Sequence, residues 1–337
     1  MAGMARESAH CVTQFWNRDP RCREGTRILR RRRDSGSEPC RSRPCPIFWR
    51  VVLPVAPTFD GIVFAGGGNR CVWQAGFYRT VAETFELAPA RVAAASAGAA
   101  VAAVLFAGCF DAALAHFKRA TAANSRNVHW GNLFNGAPIF PHAAMYRRAL
   151  LEVIDDRTLA TLHAGPELRV AITRAPGWLG ARSGFAVAGL ADALEHMLGP
   201  PVHPRLAPWL GFRAEYATVR ACRTPEALAD LVLASSCTPP LTPLFMQGGK
   251  PSLDGGIADN VPVDALADTP GATLVLLTRR YGRLPAHSQR VYAQPSAAVP
   301  VASWDYTNPA GLQAAYDLGR RDGEVFARQT DVFQCLR

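Results

Sequence analysis

From Asp60 onward, short apolar runs alternate with stretches of helical periodicity. Ile62–Phe64, Val92–Ala95, Leu168–Thr173 and Ala272–Leu277 are uninterrupted or nearly uninterrupted apolar segments of strand length. Between and after them the spacing predicts helices over Val72–Phe85, Ala97–Ala107, Asp111–Ala123 and His142–Ile154. Thr224-Pro225-Glu226 supplies an N-cap, a first-turn proline and an acid, so a helix is expected through Ser235. A long C-terminal helix is expected over Pro309–Gln329. Strands alternating with helices predict an α/β fold with a mainly parallel central sheet covered on both faces.

Two segments fit this pattern less well. Val92–Phe110 is 19 residues without a charge, long enough to cross a bilayer. It is dominated by Ala, with Gly and Ser, and only its second half is strongly apolar, so a strand followed by a buried helix is the better expectation. Pro176–Arg223 mixes Pro, Gly, Trp and Leu in irregular order. It reads either as an ordinary connection with one helix near Leu190–Leu198 or as an insertion capping a site.

Composition changes the picture mainly at the N-terminus. The chain is 49% hydrophobic and 19% charged, a globular profile. Yet residues 1–58 carry 12 arginines and 5 acids, a net of +7 out of +10 for the whole chain. With "RILRRRR" and no sustained periodicity, this segment is expected to be a disordered basic tail or, on a functional reading, a polybasic arm for anionic lipid or nucleic acid. Residues 59–330 are expected to form one domain, with 331–337 a short C-terminal tail. No nucleic-acid-binding pattern accompanies the arginines. Nine irregularly spaced cysteines suggest reduced thiols, and no cluster has metal-ligand spacing. The N-terminus lacks a basic region followed by an apolar core, so the expected location is cytoplasmic, with peripheral contact to anionic membrane as the polybasic option.

The candidate chemistry begins at "IVFAGGGNR", where Gly66, Gly67 and Gly68 follow a strand and precede a helix. Bare backbone there presents several N–H groups to one point, a cradle for negative charge. A dinucleotide fingerprint would need glycine where Cys71 stands, and a P-loop would need Gly-Lys-Ser/Thr, which is absent. An oxyanion hole remains, and it requires a nucleophile. Ser96, in Ala94-Ala95-Ser96-Ala97-Gly98, follows the second strand and opens a helix, the setting of a nucleophile elbow. Asp254, followed by Gly255 and Gly256, supplies a candidate base in a turn that another backbone can approach closely. No cofactor is called for.

With these three stretches the chain resembles the patatin-like phospholipase family. The matching residues are Gly66-Gly67-Gly68-Asn69-Arg70, Ser96-Ala97-Gly98 and Asp254-Gly255-Gly256 with Asn260-Val261-Pro262-Val263, and "ASSCTPPLTP" before Asp254 is similar too. The resemblance spans roughly Asp60 to Ala327. It implies a three-layer α/β/α sandwich that hydrolyses acyl esters, usually of lipids, through a Ser–Asp dyad. Ser96 would be the nucleophile, Asp254 the base, and Gly66, Gly67 and Gly68 the oxyanion loop, with Arg70 the basic residue that closes it. Ala94 stands where the family usually has glycine, and Cys71 where glycine often follows the basic residue. Two alternatives stay open. His287 follows Asp254 in the order of a Ser–His–Asp esterase or acyltransferase, and decay at Ala94 and Cys71 would leave a lipid-binding scaffold.

Overall fold

A computed structural model describes residues 58–85, 87–134, 139–198, 201–239 and 241–328. The expected basic N-terminal tail, apart from its last residue, and the C-terminal tail lie outside the described residues.

A six-stranded sheet forms the centre. Its strands are β1 (Gly61–Phe64), β2 (Arg91–Ala95), β3 (Glu167–Arg174), β4 (Arg213–Thr218), β7 (Thr273–Leu276) and β8 (Arg290–Ala293). Strands β5 (Met246–Gln247) and β6 (Lys250–Pro251) form a separate small hairpin. The order across the sheet is β4-β3-β2-β1-β7-β8, and every pairing is parallel except β3 with β4. The register sets Ile62 beside Val92 and Leu274, and Phe64 beside Ala94 and Leu276. Every residue of β1 and β7 is buried, which is why both read as continuous apolar runs.

The larger core fills one face of the sheet. There lie α1 (Val72–Phe85), α2 (Ala97–Phe106), α3 (Phe110–Ala123), α4 (His142–Val153), α5 (Asp156–Ala164), α7 (Pro225–Ala234) and α8 (Pro309–Ala327). Helix α2 is buried along its first eight residues, so it is apolar all round, as an interior helix must be. This settles the uncharged Val92–Phe110 stretch as strand plus core helix, and among the described residues no helix is long and apolar enough to cross a membrane. Helix α8 packs along α1: Trp73 Nε1 donates to Asp322 Oδ2 at 2.8 Å, and Phe77 meets Phe326 edge to face. Thr224 caps α7 as expected, its Oγ1 accepting the Ala227 N–H. The opposite face is covered by a one-turn helix (Gly256–Asp259), by Val261–Leu266, and by Val202 and Tyr281.

The irregular Pro176–Arg223 stretch holds more structure than its pattern suggests. Helix α6 runs from Ala181 to Leu198, well before the expected Leu190, and is followed by edge strand β4.

Candidate active site

The strand order reverses at β1, where β2 and β3 build out to one side and β7 and β8 to the other. In open α/β sheets the crevice beyond the carboxyl ends of the strands at such a point is where ligands bind. The glycine loop leaves β1 there, Ser96 leaves β2, and Thr278 lies just beyond β7. Gln74 bridges two of these ends, its Nε2 donating to the carbonyls of Ala65 and Leu276 at 3.0 and 2.8 Å.

Ser96 sits between β2 and α2 with φ 51° and ψ −131°, the one non-glycine residue of positive φ among those described. A side chain held in that region costs on the order of 1–3 kcal/mol, so the surroundings must fix it. They do so through Ser235, whose Oγ accepts the Ser96 N–H at 2.7 Å and donates to the Ala171 carbonyl at 2.6 Å. Gly98 makes the tight turn possible. A β-carbon there would stand 2.7 Å from the carbonyl oxygens of both Phe64 and Ala65. Ala94, by contrast, is fully buried and packs its methyl into the core, so the second glycine of the elbow pattern carries the steric demand.

Asp254 lies across from Ser96, whose Oγ donates to Asp254 Oδ2 at 2.7 Å. Its other oxygen, Oδ1, accepts the Gly256 N–H at 2.7 Å. The loop is pinned by the Asp254 N–H to the Cys237 carbonyl and the Gly255 N–H to the Ser235 carbonyl, at 2.7 and 2.9 Å. Segment Ser235–Cys237 therefore holds nucleophile and carboxylate together. Burial raises the Asp254 carboxyl to about 6, with the Ser96 and Gly256 hydrogen bonds pulling partly the other way. The residue keeps some contact with the cavity, but protein atoms crowd the carboxylate itself.

The glycine loop is held from three sides. Thr278 Oγ1 donates to the Gly66 carbonyl at 2.7 Å, and Arg70 Nε donates to the Gly67 carbonyl at 3.3 Å. The Gly66 N–H is taken by the Asn260 carbonyl, and the Asn69 N–H by the Ser303 carbonyl, both at 3.0 Å. Between them the N–H groups of Gly67 and Gly68 have no partner among the described residues. Of the three glycines, Gly66 thus has its donor occupied. Cys71 is buried behind the loop, its thiol directed at the Ala65 carbonyl, and burial pushes its pKa far up.

Two cavities meet at this loop. One holds Ser96, Asp254, Gly67, Gly68 and Arg70 and is walled by α6 through Phe185, Ala188, Asp192 and Glu195. Its far side contains His142, Trp304 and Tyr306, none of which sequence reasoning had singled out. His142 Nδ1 pairs with the Tyr306 hydroxyl at 2.6 Å, while its buried Nε2 has no partner among the described residues. Burial lowers this imidazole to about 4, so it is neutral at physiological pH. The second cavity shares Gly68 and is lined almost wholly by apolar groups of α2, α3 and α4, including Ala97, Ala100, Val104 and Phe110. His287 is in neither: it is exposed, and its Nδ1 accepts the Gln289 N–H.

The sequence matches the family model described as Patatin-like phospholipase over residues 62–267, more than half of the chain and inclusive of Ser96 and Asp254. Among curated protein sequences none matches. Among solved structures the chain is similar to VipD from Legionella pneumophila, at 11% identity and a TM-score of 0.37, over 80% of this chain and 67% of that one.

Proposed function

The chain belongs to the patatin-like phospholipase family, a family of lipid acyl hydrolases, and on that premise we propose that it cleaves lipid carboxylic esters with Ser96 as nucleophile and Asp254 as base. The observation that carries this reading is the 2.7 Å hydrogen bond from Ser96 Oγ to a carboxylate raised to about 6. An ordinary aspartate near ~3.9 is a weak base at neutral pH, and desolvation makes this one stronger.

In the first half-reaction Ser96 Oγ adds to the ester carbonyl carbon and its proton passes to Asp254 Oδ2. The carbonyl oxygen gains the negative charge and is held by the Gly67 and Gly68 N–H groups at the start of the following helical turn. Gly66 shapes the loop and Arg70 closes it. Collapse breaks the bond to the leaving alkoxide, which takes the proton from Asp254 and departs as an alcohol. Water then adds to the acyl-Ser96 ester with Asp254 again accepting the proton; collapse breaks the acyl–Oγ bond, Ser96 Oγ takes the proton back from Asp254, and the carboxylic acid leaves. No imidazole is needed, in contrast to a triad, where aspartate only supports the histidine. A cytoplasmic protein meeting its lipid at a membrane surface accords with this chemistry.

The test is covalent trapping. A fluorophosphonate should label wild-type protein on Ser96 and fail on Ser96→Ala. The labelling rate should be flat above pH ~6 and fall about tenfold per pH unit below it, because protonation of Asp254 removes the base. Labelling elsewhere, or a limb governed by another pKa, would move the chemistry off this pair.

The apolar cavity beside Gly68 supports an acyl chain as the substrate's buried part. Ala100 lines it one helical turn beyond Ala97, so Ala100→Phe would place a ring in the path. The ratio of kcat/KM for long-chain over short-chain p-nitrophenyl esters should then fall by about tenfold or more, since each methylene bound in an apolar pocket is worth about 1–3 kcal/mol. An unchanged ratio would place the chain elsewhere.

A further inference from the structure

Helix α6 is apolar on the side that faces away from the protein. Its inner face, Phe185, Ala188, Asp192 and Glu195, walls the cavity that holds Ser96. Its outer face carries Ala186, Leu190, Ala193, Leu194 and Met197, all exposed, with Met197 at 84% and Leu190 at 73%. A surface helix ordinarily turns charged and polar groups to water on that side. Here the outer stripe from Ala186 to Met197 contains no charge. Trp178, three residues before α6, and Trp209, on the one-turn helix packed against it, are 73% and 81% exposed. A contiguous aliphatic patch flanked by tryptophans marks an interaction surface rather than ordinary exposure.

We propose that the outer face of α6, with Trp178 and Trp209, is the surface by which this protein seats itself on a lipid bilayer, the mouth of the Ser96 cavity facing the membrane. The inference rests on the lipid-ester reading of that site. Three features choose a bilayer over another occupant. The patch is the outside of the helix whose inside lines the reactive cavity, so a single helix separates its occupant from that cavity. A lipid surface is the occupant that also supplies a lipid ester, whereas a docked protein would cover the approach. The chemistry is interfacial: Leu, Leu and Met supply apolar area, and indole rings favour the headgroup level. Arg182, Arg205 and Arg213 are exposed on the same segments, placed to meet anionic headgroups.

The helix would lie in the plane of the interface. At 18 residues it has the length of a short interfacial helix, and the charged Asp192 and Glu195 on its cavity side argue against spanning. Binding would bring the cavity to ester bonds at the headgroup boundary without first drawing a lipid through water.

The experiment uses the full chain and vesicles of phosphatidylcholine, with and without phosphatidylserine. Leu190→Ser/Leu194→Ser/Met197→Ser should lower partitioning onto vesicles by about tenfold or more, since each buried aliphatic side chain contributes that order of binding. Trp178→Ser/Trp209→Ser should lower it in the same direction. Hydrolysis of vesicle phospholipid should fall in parallel, while hydrolysis of a monomeric short-chain ester stays within about twofold of wild type. Partitioning is also measured in a Ser96→Ala background, where no turnover can occur. Vesicle binding through the patch without any esterase activity would uphold the docking surface and sink the hydrolase reading. Esterase activity with patch-independent vesicle binding would do the reverse. If the triple variant instead dissolves a dimer of the wild-type chain, seen by sedimentation with vesicle partitioning unchanged, the patch is an interface between copies and the proposal is overturned. Dependence on phosphatidylserine that survives the triple variant but is lost on deleting residues 1–57 would assign membrane contact to the N-terminal arginines, and would overturn it equally.

Discussion

Asp254→Asn should abolish most turnover and yet cost the fold nothing. Asparagine keeps the volume and can still accept the Gly256 N–H at Oδ1, so the loop geometry survives. It cannot accept the serine proton, and loss of a positioned general base lowers kcat by about 10²–10⁴-fold. Ser96→Ala should reduce activity to background, and the double variant should be scarcely worse, because groups that act as a unit are non-additive. Stability supplies the readout that a structural role would not give. A carboxyl whose folded pKa, about 6, lies above its unfolded value near ~3.9 destabilises the fold once the pH exceeds both. The penalty grows between those values and vanishes below the lower one. Asp254→Asn should therefore melt at or above the wild-type temperature at pH 7, with the gap closing below pH ~4. A variant that melts lower at pH 7 would mean that Asp254 is retained for packing.

That trade of stability for reactivity was only half legible in the sequence. Residue types could be read: glycines after a strand, a serine at a strand-to-helix turn, an aspartate before two glycines. Their convergence follows from parallel strands that all end at one edge of the sheet, a consequence of the alternating pattern. The ties that hold them could not be read. Ser235 bridges Ser96 to Ala171, and Asn260 accepts from Gly66, across 139 and 194 residues respectively. No local spacing encodes such contacts. His142, at the start of α4, and Tyr306, in the loop before α8, likewise join at the cavity from 164 residues apart.

The missed elements have a common physical cause. Strands β4 and β8 are the two edges of the sheet. Arg213-Ala214-Glu215-Tyr216-Ala217-Thr218 has no buried residue, and Arg290–Ala293 is only four residues long after a polar loop. β4 lacks the buried apolar run that exposed β1 and β7 to inspection, and β8 offers only Val291, Tyr292 and Ala293 behind an arginine. Helix α5 was missed because its start is a less common capping box, Asp155 with Thr158 in place of Glu or Gln. Helix α6 hid for the opposite reason. It buries small residues such as Ala188 and Ala191 and exposes large ones, so the usual rule that the apolar face looks inward gives the wrong helix.

Gly68→Ala, the addition of one methyl group, should lower kcat by about 10²–10³-fold, the typical cost of misplacing one oxyanion donor. Gly68 has φ +58°, a left-handed conformation that alanine tolerates poorly. Its β-carbon would also press against the Ser303 carbonyl, with the carbonyl carbon at 2.8 Å, and backbone cannot swing aside as a side chain can. The loop must shift, and with it the free N–H groups of Gly67 and Gly68. Substrate binding relies mainly on the cavities, so KM should move far less than kcat. Conformational strain alone is separated from this effect by Gly108→Ala. Gly108 has φ +75° in open space, nothing standing within 4 Å of the added carbon, and it lies beyond α2, away from the glycine loop. That variant should lose roughly 1 kcal/mol of stability and keep its turnover. Equal losses of kcat in the two variants would show that alanine acts through general destabilisation. A folded Gly68→Ala protein with wild-type kcat would remove the glycine loop from the chemistry, leaving Ser96 and Asp254 without their electrophilic partner.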